Sequence, residues 1–326
     1  MRATAGGCYT KRAMKARNQG VGLWAGVTLG MGRGGPEGAL RIATHRARGS
    51  GAACRRRRPY CNRGFPAQAN TAMPFAVVLG RRLEYRLIPG DAGKDALVFL
   101  HEGLGSVALW RRFPDRLAAR LGAPALVYSR LGYGRSDGLA GGRAADFLHR
   151  EALDVLPALR DAFNIARPVL VGHSDGASIA LIHAAAARRP VAALVLMAPH
   201  VFVEPITIAG IASTRASYLR TDLKARLAKY HARVDDAVLG WADAWLDPAF
   251  RAWSIEQLLP AVIAPALLIQ GRADPYGTLE QLARIERGVR GPTTRLVLET
   301  CGHAPHRDQE DAVLAAASAF LQRLPR

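Results

Sequence analysis

The sequence predicts an α/β fold: a mostly parallel, eight-stranded sheet with helices on both faces and a helical cap. Three observations predict it. From residue 73 onward, short runs rich in Val, Leu and Ile alternate with helically patterned stretches. Several of these runs are continuously apolar, as strands covered on both faces must be. The last three helical stretches follow strands directly, as crossovers between parallel strands require.

Strands are expected at residues 75–79, 82–88, 96–101, 125–129, 168–172, 192–197, 266–270 and 295–299. The first two are joined so closely that they should form an antiparallel hairpin. Helices are expected at residues 109–121, 144–163, 176–188, 279–287 and 308–324. Between Pro199 and Pro265 the alternation stops. That interval has no strand run, only helical patterning with Tyr218, Tyr230, Trp241, Trp245 and Trp253. An insert after the carboxyl end of a strand lies over the edge where such sheets bind ligands, so residues of about 200–260 read as a cap.

The chain has 326 residues, a net charge of +19 and four cysteines. The charge is unevenly placed: residues 1–72 carry a net +13, with Glu37 as their one acid, and residues 73–326 carry +6. A basic nucleic-acid-binding body is therefore not expected. Residues 1–72 are rich in Arg, Gly and Ala without periodicity, and they read as disordered. Three readings of them stand: a targeting or nucleic-acid patch at Arg55–Arg58, a weak secretory signal within residues 11–32, or upstream sequence preceding a start at Met73. Cys301 is the one cysteine of the body, so no internal disulfide is expected there, and a reducing, cytoplasmic location is. No run of 18 apolar residues marks a membrane span.

The chemistry concentrates in a few loops. Gly172-His-Ser174-Asp-Gly176 lies between a strand run and a helical run. A Gly-x-Ser-x-Gly turn at such a junction holds its serine in a strained conformation with the hydroxyl exposed at the helix start. A serine hydroxyl needs a base, and the base needs an orienting acid. In the chain order Ser, Asp, His, the candidates are Asp274 and His303, each just past a strand. His306 competes with His303. His303 is preferred because Gly302 lets its loop approach and Pro305 stiffens the next stretch of chain. His173 and Asp175 flank the nucleophile either as scaffolding or as substrate contacts. Two backbone N–H donors are expected at an oxyanion hole: that of Asp175, and that of Gly103 or Leu104 in the loop of residues 101–106. Glu102, Leu104, His200, Trp241 and Trp245 are expected to touch substrate, and the aromatic residues of the insert suggest a mainly apolar pocket.

Gly103-Leu-Gly105-Ser-Val-Ala108 also matches a dinucleotide fingerprint. An acid about 20 residues on is missing, and Arg130 at that place would suit an NADP 2′-phosphate instead. That reading leaves Ser174, Asp274 and His303 without a role.

Over residues 73–326 the sequence resembles the α/β-hydrolase superfamily, closest to its capped branch of small carboxylesterases and meta-cleavage C–C hydrolases. The elbow at Gly172–Gly176, Asp274, His303, the loop of residues 101–105 and Leu131-Gly-Tyr133-Gly-Arg-Ser136-Asp137 carry the resemblance. It implies Ser174 as nucleophile, His303 as general base and Asp274 as its partner, with no metal or organic cofactor. One departure stands out: family loops usually read His-Gly, and here Glu102 replaces that glycine. The expected activity is hydrolysis of a small, mainly apolar carbonyl substrate, a carboxylic ester first and a C–C bond second. A non-catalytic small-molecule sensor or an NADP-binding protein is the alternative of another class. The expected partner is a small molecule, with no nucleic acid or membrane engaged by the body. Oligomeric state is not legible.

Overall fold

The computed structural model describes residues 74–186 and 189–325. The readings of residues 1–72, the start at Met73 and the last two residues of the helix expected at 176–188 lie outside the described residues.

All eight expected strands form one sheet in the order β1-β2-β4-β3-β5-β6-β7-β8. They are β1 (Phe75–Val78), β2 (Arg81–Ile88), β3 (Leu97–Leu100), β4 (Ala125–Tyr128), β5 (Val169–His173), β6 (Ala193–Met197), β7 (Ala266–Gly271) and β8 (Thr293–Leu298). β2 runs antiparallel to both β1 and β4, and the pairings from β4 through β8 are parallel. Leu79 and Gly80 close the first hairpin with φ of +50° and +75°. Two positive φ values in a two-residue loop give the turn whose twist matches paired strands, and the glycine adopts its value at no steric cost.

The sheet alternates its side chains between two cores. Leu97, Phe99, Val127, Val171, Val195 and Ile269 face α1 (Phe113–Leu121) and α10 (Glu310–Gln322). Val98, Leu100, Leu126, Leu170, Leu196 and Leu268 face α4 (Asp175–Ala186) and the long helix before β5. Nearly all of these are fully buried, and each contributes about 1.5–3 kcal/mol relative to exposure. The two-sided burial explains why β3 to β6 read as unbroken apolar runs and β7 nearly so.

Two helices differ from expectation. The helix expected from residue 109 starts at Phe113, after a 3₁₀ turn over Ala108–Trp110. Arg111 has φ +53°, which no continuous right-handed helix can contain, and Pro114 then opens α1. The helix expected at 144–163 is α2 (Phe147–Arg150), a π segment (Glu151–Val155) and α3 (Leu156–Ala162) in succession. The Tyr128 hydroxyl donates to the buried Glu151 carboxylate at that widened turn (2.8 Å).

The interval between β6 and β7 is helical: α5 (Pro205–Arg220), α6 (Leu223–Leu227), α7 (Val234–Leu246) and 3₁₀ turns at Pro248–Ala252 and Glu256–Ala261. Its charges pair with one another on the surface, as in Arg215–Asp243 and Lys224–Asp235. α8 (Glu280–Gly288) follows β7, and α9 (Pro305–Asp308) precedes α10. Among the described residues no helix is long and apolar enough to cross a membrane.

Candidate active site

Five loops at the carboxyl ends of β3, β5, β6, β7 and β8 converge on one cavity of about 200 Å³. Ser174, in the β5–α4 turn, has φ +53°, a conformation costing a non-glycine residue about 1–3 kcal/mol. The surroundings enforce it: the Ser174 N–H donates to the Met197 carbonyl (2.9 Å) and its own carbonyl accepts from Ala177 (2.8 Å). A Cβ at Gly176 would overlap the Leu100 carbonyl, and one at Gly172 would overlap the Gly176 carbonyl. Both glycines are therefore sterically required for strand and helix to meet this closely.

His303, after β8, faces the Asp274 carboxylate with Nδ1 2.9 Å from Oδ1 and 2.8 Å from Oδ2. Asp274 also accepts from Gln270 Nε2 (2.7 Å) and the Tyr276 N–H (2.8 Å). Burial pushes its carboxyl up, but the hydrogen bond and charge of His303 outweigh burial and hold it below the usual carboxylate value. Ser174 and His303 both line the cavity, with Asp274 behind the imidazole. Among the described residues no hydrogen bond joins Ser174 Oγ to His303. Catalytic contacts of unliganded enzymes are often open in this way and tighten around substrate.

Gly103 and Leu104 line the same cavity as Asp175, where α4 begins. Among the described residues the N–H groups of Gly103, Leu104 and Asp175 donate to no protein acceptor. The Gly103–Ala108 stretch is not followed by a regular helix, since the 3₁₀ turn and Arg111 intervene before Phe113. It therefore lacks the helix N-terminus on which a dinucleotide pyrophosphate rests.

Glu102 turns towards His173, its Oε2 3.4 Å from Nδ1, while His173 Nε2 lies 2.6 Å from the His303 carbonyl. The carbonyl of Glu102 accepts from Arg130 Nη2 (2.9 Å) and lies 2.7 Å from His101 Nδ1. The same Arg130 Nη2 reaches Asp175 Oδ2 at 3.2 Å, in an ion pair whose side chains are each 1% exposed. Asp175 Oδ1 accepts from Trp245 Nε1 (3.2 Å). The Asp175 side chain thus ties the elbow to Arg130 and to α7, and Asp175 and His173 both also line the cavity. Arg130, which the sequence suggested only as a 2′-phosphate ligand, holds these contacts together.

His200, Trp241 and Trp245 line the cavity, as do Glu102 and Leu104. Burial first, and then the neighbouring His303, push His200 down to about 3, so it is a neutral ring. Trp241 abuts Gly103 so closely that a Cβ there would overlap its indole nitrogen. The insert also supplies Thr207, Ile211 and Leu227, and the loop after β7 supplies Tyr276. Sequence reasoning missed these four, and Leu109, Ala304 and Arg307 with them; apolar or aromatic character hinted at Ile211, Leu227, Leu109 and Tyr276, and nothing marked Thr207 or Arg307. His306 is buried against Trp110 and Phe113 (ring centroids 4.8 and 5.5 Å), away from Asp274. The Leu131–Asp137 stretch is structural: Ser136 Oγ donates to the Ser129 carbonyl (2.7 Å), and Asp137 accepts from the Arg82 N–H (2.8 Å). Among the described residues no group of three or more His, Cys, Asp or Glu side chains is arranged to hold a metal ion.

The model of the alpha/beta hydrolase family matches residues 97–317. No curated protein matches the chain in sequence. Solved structures of similar fold include an esterase from Exiguobacterium antarcticum (17% identity, TM-score 0.60, covering 77% of this chain and 100% of that one). An enol-lactonase from Burkholderia xenovorans gives 20% identity and a TM-score of 0.60, with 77% and 100% coverage. A meta-cleavage product hydrolase from Pseudomonas fluorescens gives 19% identity and a TM-score of 0.59, with 76% and 97% coverage.

Proposed function

Because the chain belongs to the alpha/beta hydrolase family, we propose that it is a serine hydrolase that cleaves a small, mainly apolar carboxylic ester through an acyl-enzyme. The observation that carries this reading is the left-handed Ser174 in its glycine-flanked turn, opening on the same cavity as the Asp274-paired His303.

In the mechanism, Asp274 holds His303 with its proton on Nδ1, leaving Nε2 free to accept the Ser174 proton as Oγ attacks the carbonyl carbon. The imidazolium that forms is stabilised by the Asp274 charge. The negative charge on the former carbonyl oxygen is met by the N–H groups of Asp175 and Gly103, each worth about 3–4 kcal/mol in such a hole. His303 then gives its proton to the departing alcohol, and water, activated by the same imidazole, releases the acid. The cavity is smaller than most ligand pockets, and Leu104, Leu109, Ile211, Trp241 and Trp245 make much of its wall apolar beside the charged Glu102 and Arg307, which favours short acyl groups. The helical insert acts as a cap that forms one wall and shields the acyl-enzyme.

The reading is tested by hydrolysis of a series of short-chain esters by the full chain and by Ser174→Ala. Turnover should vanish in the variant while its unfolding transition stays in place. Equal hydrolysis by both proteins would refute the assignment.

A further inference from the structure

His173 is a buried titratable group with no part in the proposed reaction, yet its ring nitrogens point at two oxygens, a backbone carbonyl and a carboxylate, that accept when Glu102 is ionised. Nε2 lies 2.6 Å from the His303 carbonyl oxygen, and Nδ1 lies 3.4 Å from Glu102 Oε2. A neutral imidazole carries one proton and would turn a lone pair on one of these oxygens. Only the doubly protonated ring donates to both, and the Glu102 carboxylate supplies its counter-charge.

These two contacts span the site. Glu102 belongs to the loop carrying Gly103, His173 ends β5 immediately before Ser174, and the His303 carbonyl belongs to the loop that carries the base. The main chain of Glu102 is held in turn by Arg130. We propose that Glu102 and His173 form a charged positioning bridge that fixes the loop of His303 relative to the Gly103 loop, so that base and oxyanion donors keep a common register about Ser174. The proposal rests on the serine-hydrolase reading above. His173 is a positioning residue: it acts through the backbone of His303 and touches no reacting atom. It also gives the glutamate that departs from the His-Gly pattern a task, since glycine has no carboxylate to balance the imidazolium.

The groups facing His173 are Glu102 from the β3–α1 loop, His303 from the loop after β8, and His306 from α9 (ring centroid 4.9 Å), with Trp110 edge-on at 6.5 Å. Asp274 adds a more distant negative charge from the loop after β7, and the neutral His200 ring lies within electrostatic reach from the loop after β6. Burial opposes the charge on His173, but the hydrogen bond and charge of Glu102 outweigh burial and hold its pKa above the ordinary 6.5. Burial likewise opposes the charge on Glu102, and the hydrogen bond and charge of His173 hold that carboxyl well below its ordinary value. His306 is pushed well below 6.5, first by burial and then by His173, and so adds no second charge.

The test measures reaction of the full chain with a fluorophosphonate probe as a function of pH, in wild type, Glu102→Gln and His173→Gln, with folding checked by circular dichroism. Wild-type labelling should fall at high pH as His173 loses its proton and the His303 loop is released. In Glu102→Gln the fall should move to lower pH, and in His173→Gln it should be absent. Both variants should label slower by on the order of 10- to 100-fold at neutral pH, the usual cost of misplacing a catalytic group. A high-pH fall that stays in place in both variants, or a wild type without one, would overturn the proposal. The bridge also has a readout independent of activity and of either variant's folding, the titration of the wild-type His173 ring by nuclear magnetic resonance. A midpoint above 6.5 supports it, and one below refutes it. An unlabelled wild type with a raised His173 midpoint would defeat the hydrolase reading and the positioning role with it, while leaving the ion pair in place.

Discussion

Both carboxylate oxygens of Asp274 lie within 2.9 Å of His303 Nδ1, so the imidazole can present only Nε2 to the cavity. Asp274→Asn preserves the shape but offers an amide that stabilises the wrong tautomer. Probe labelling or ester hydrolysis by this variant should fall roughly a thousand- to ten-thousand-fold with folding unchanged. A loss smaller than tenfold would mean that the pair does not orient the base.

The same carboxylate links stability to pH. Its pKa in the folded chain is below the ordinary 3.8, so its stabilising contribution is complete above that value and is lost as pH falls through the lower folded value. Urea unfolding of wild type and Asp274→Asn should therefore differ most at neutral pH, and the gap should close under strongly acidic conditions. A gap that does not change with pH would contradict the assignment of charge to Asp274.

Arg130 and Asp175 form an ion pair sealed from water. Arg130→Leu leaves a buried carboxylate uncompensated and should cost about 3–5 kcal/mol in unfolding free energy. Arg130→Leu combined with Asp175→Asn removes the stranded charge and should recover much of that loss. Equal stability of wild type and Arg130→Leu would show that Asp175 finds another partner.

Ile211 of α5 is buried and forms part of the cavity wall. Ile211→Val should admit one further methylene, shifting kcat/KM towards the longer ester by about tenfold. The accompanying loss of stability should be about 0.5–1.5 kcal/mol. An unchanged chain-length preference would place the acyl group elsewhere.

The central strands β3 to β7 were legible in the sequence because each is buried on both faces, which leaves few polar positions to blur the run, whereas β1, β2 and β8 keep exposed positions. Ser174, Asp274 and His303 were legible as candidates because each follows a strand within a few residues. What was hidden is long-range in sequence. The contact of Arg130 with Asp175 spans 45 residues and that of Glu102 with His173 spans 71. Neither pair has a spacing that any local period could reveal. The start of α1 was hidden differently: the left-handed Arg111 breaks an otherwise acceptable helical pattern, and nothing in the residue type announces it. Ile211 and Thr207 were obscured because α5 has no clear apolar face, being wedged between cavity, α7 and solvent.

The central claim is that Ser174 is an activated nucleophile, and covalent labelling by a fluorophosphonate tests it most directly. The full 326-residue chain and its Ser174→Ala variant would be treated side by side and the adduct located by mass spectrometry. The proposed triad predicts one adduct, on Ser174, in the wild type alone. A folded wild type that takes up no label, or a Ser174→Ala variant labelled equally well, would contradict it.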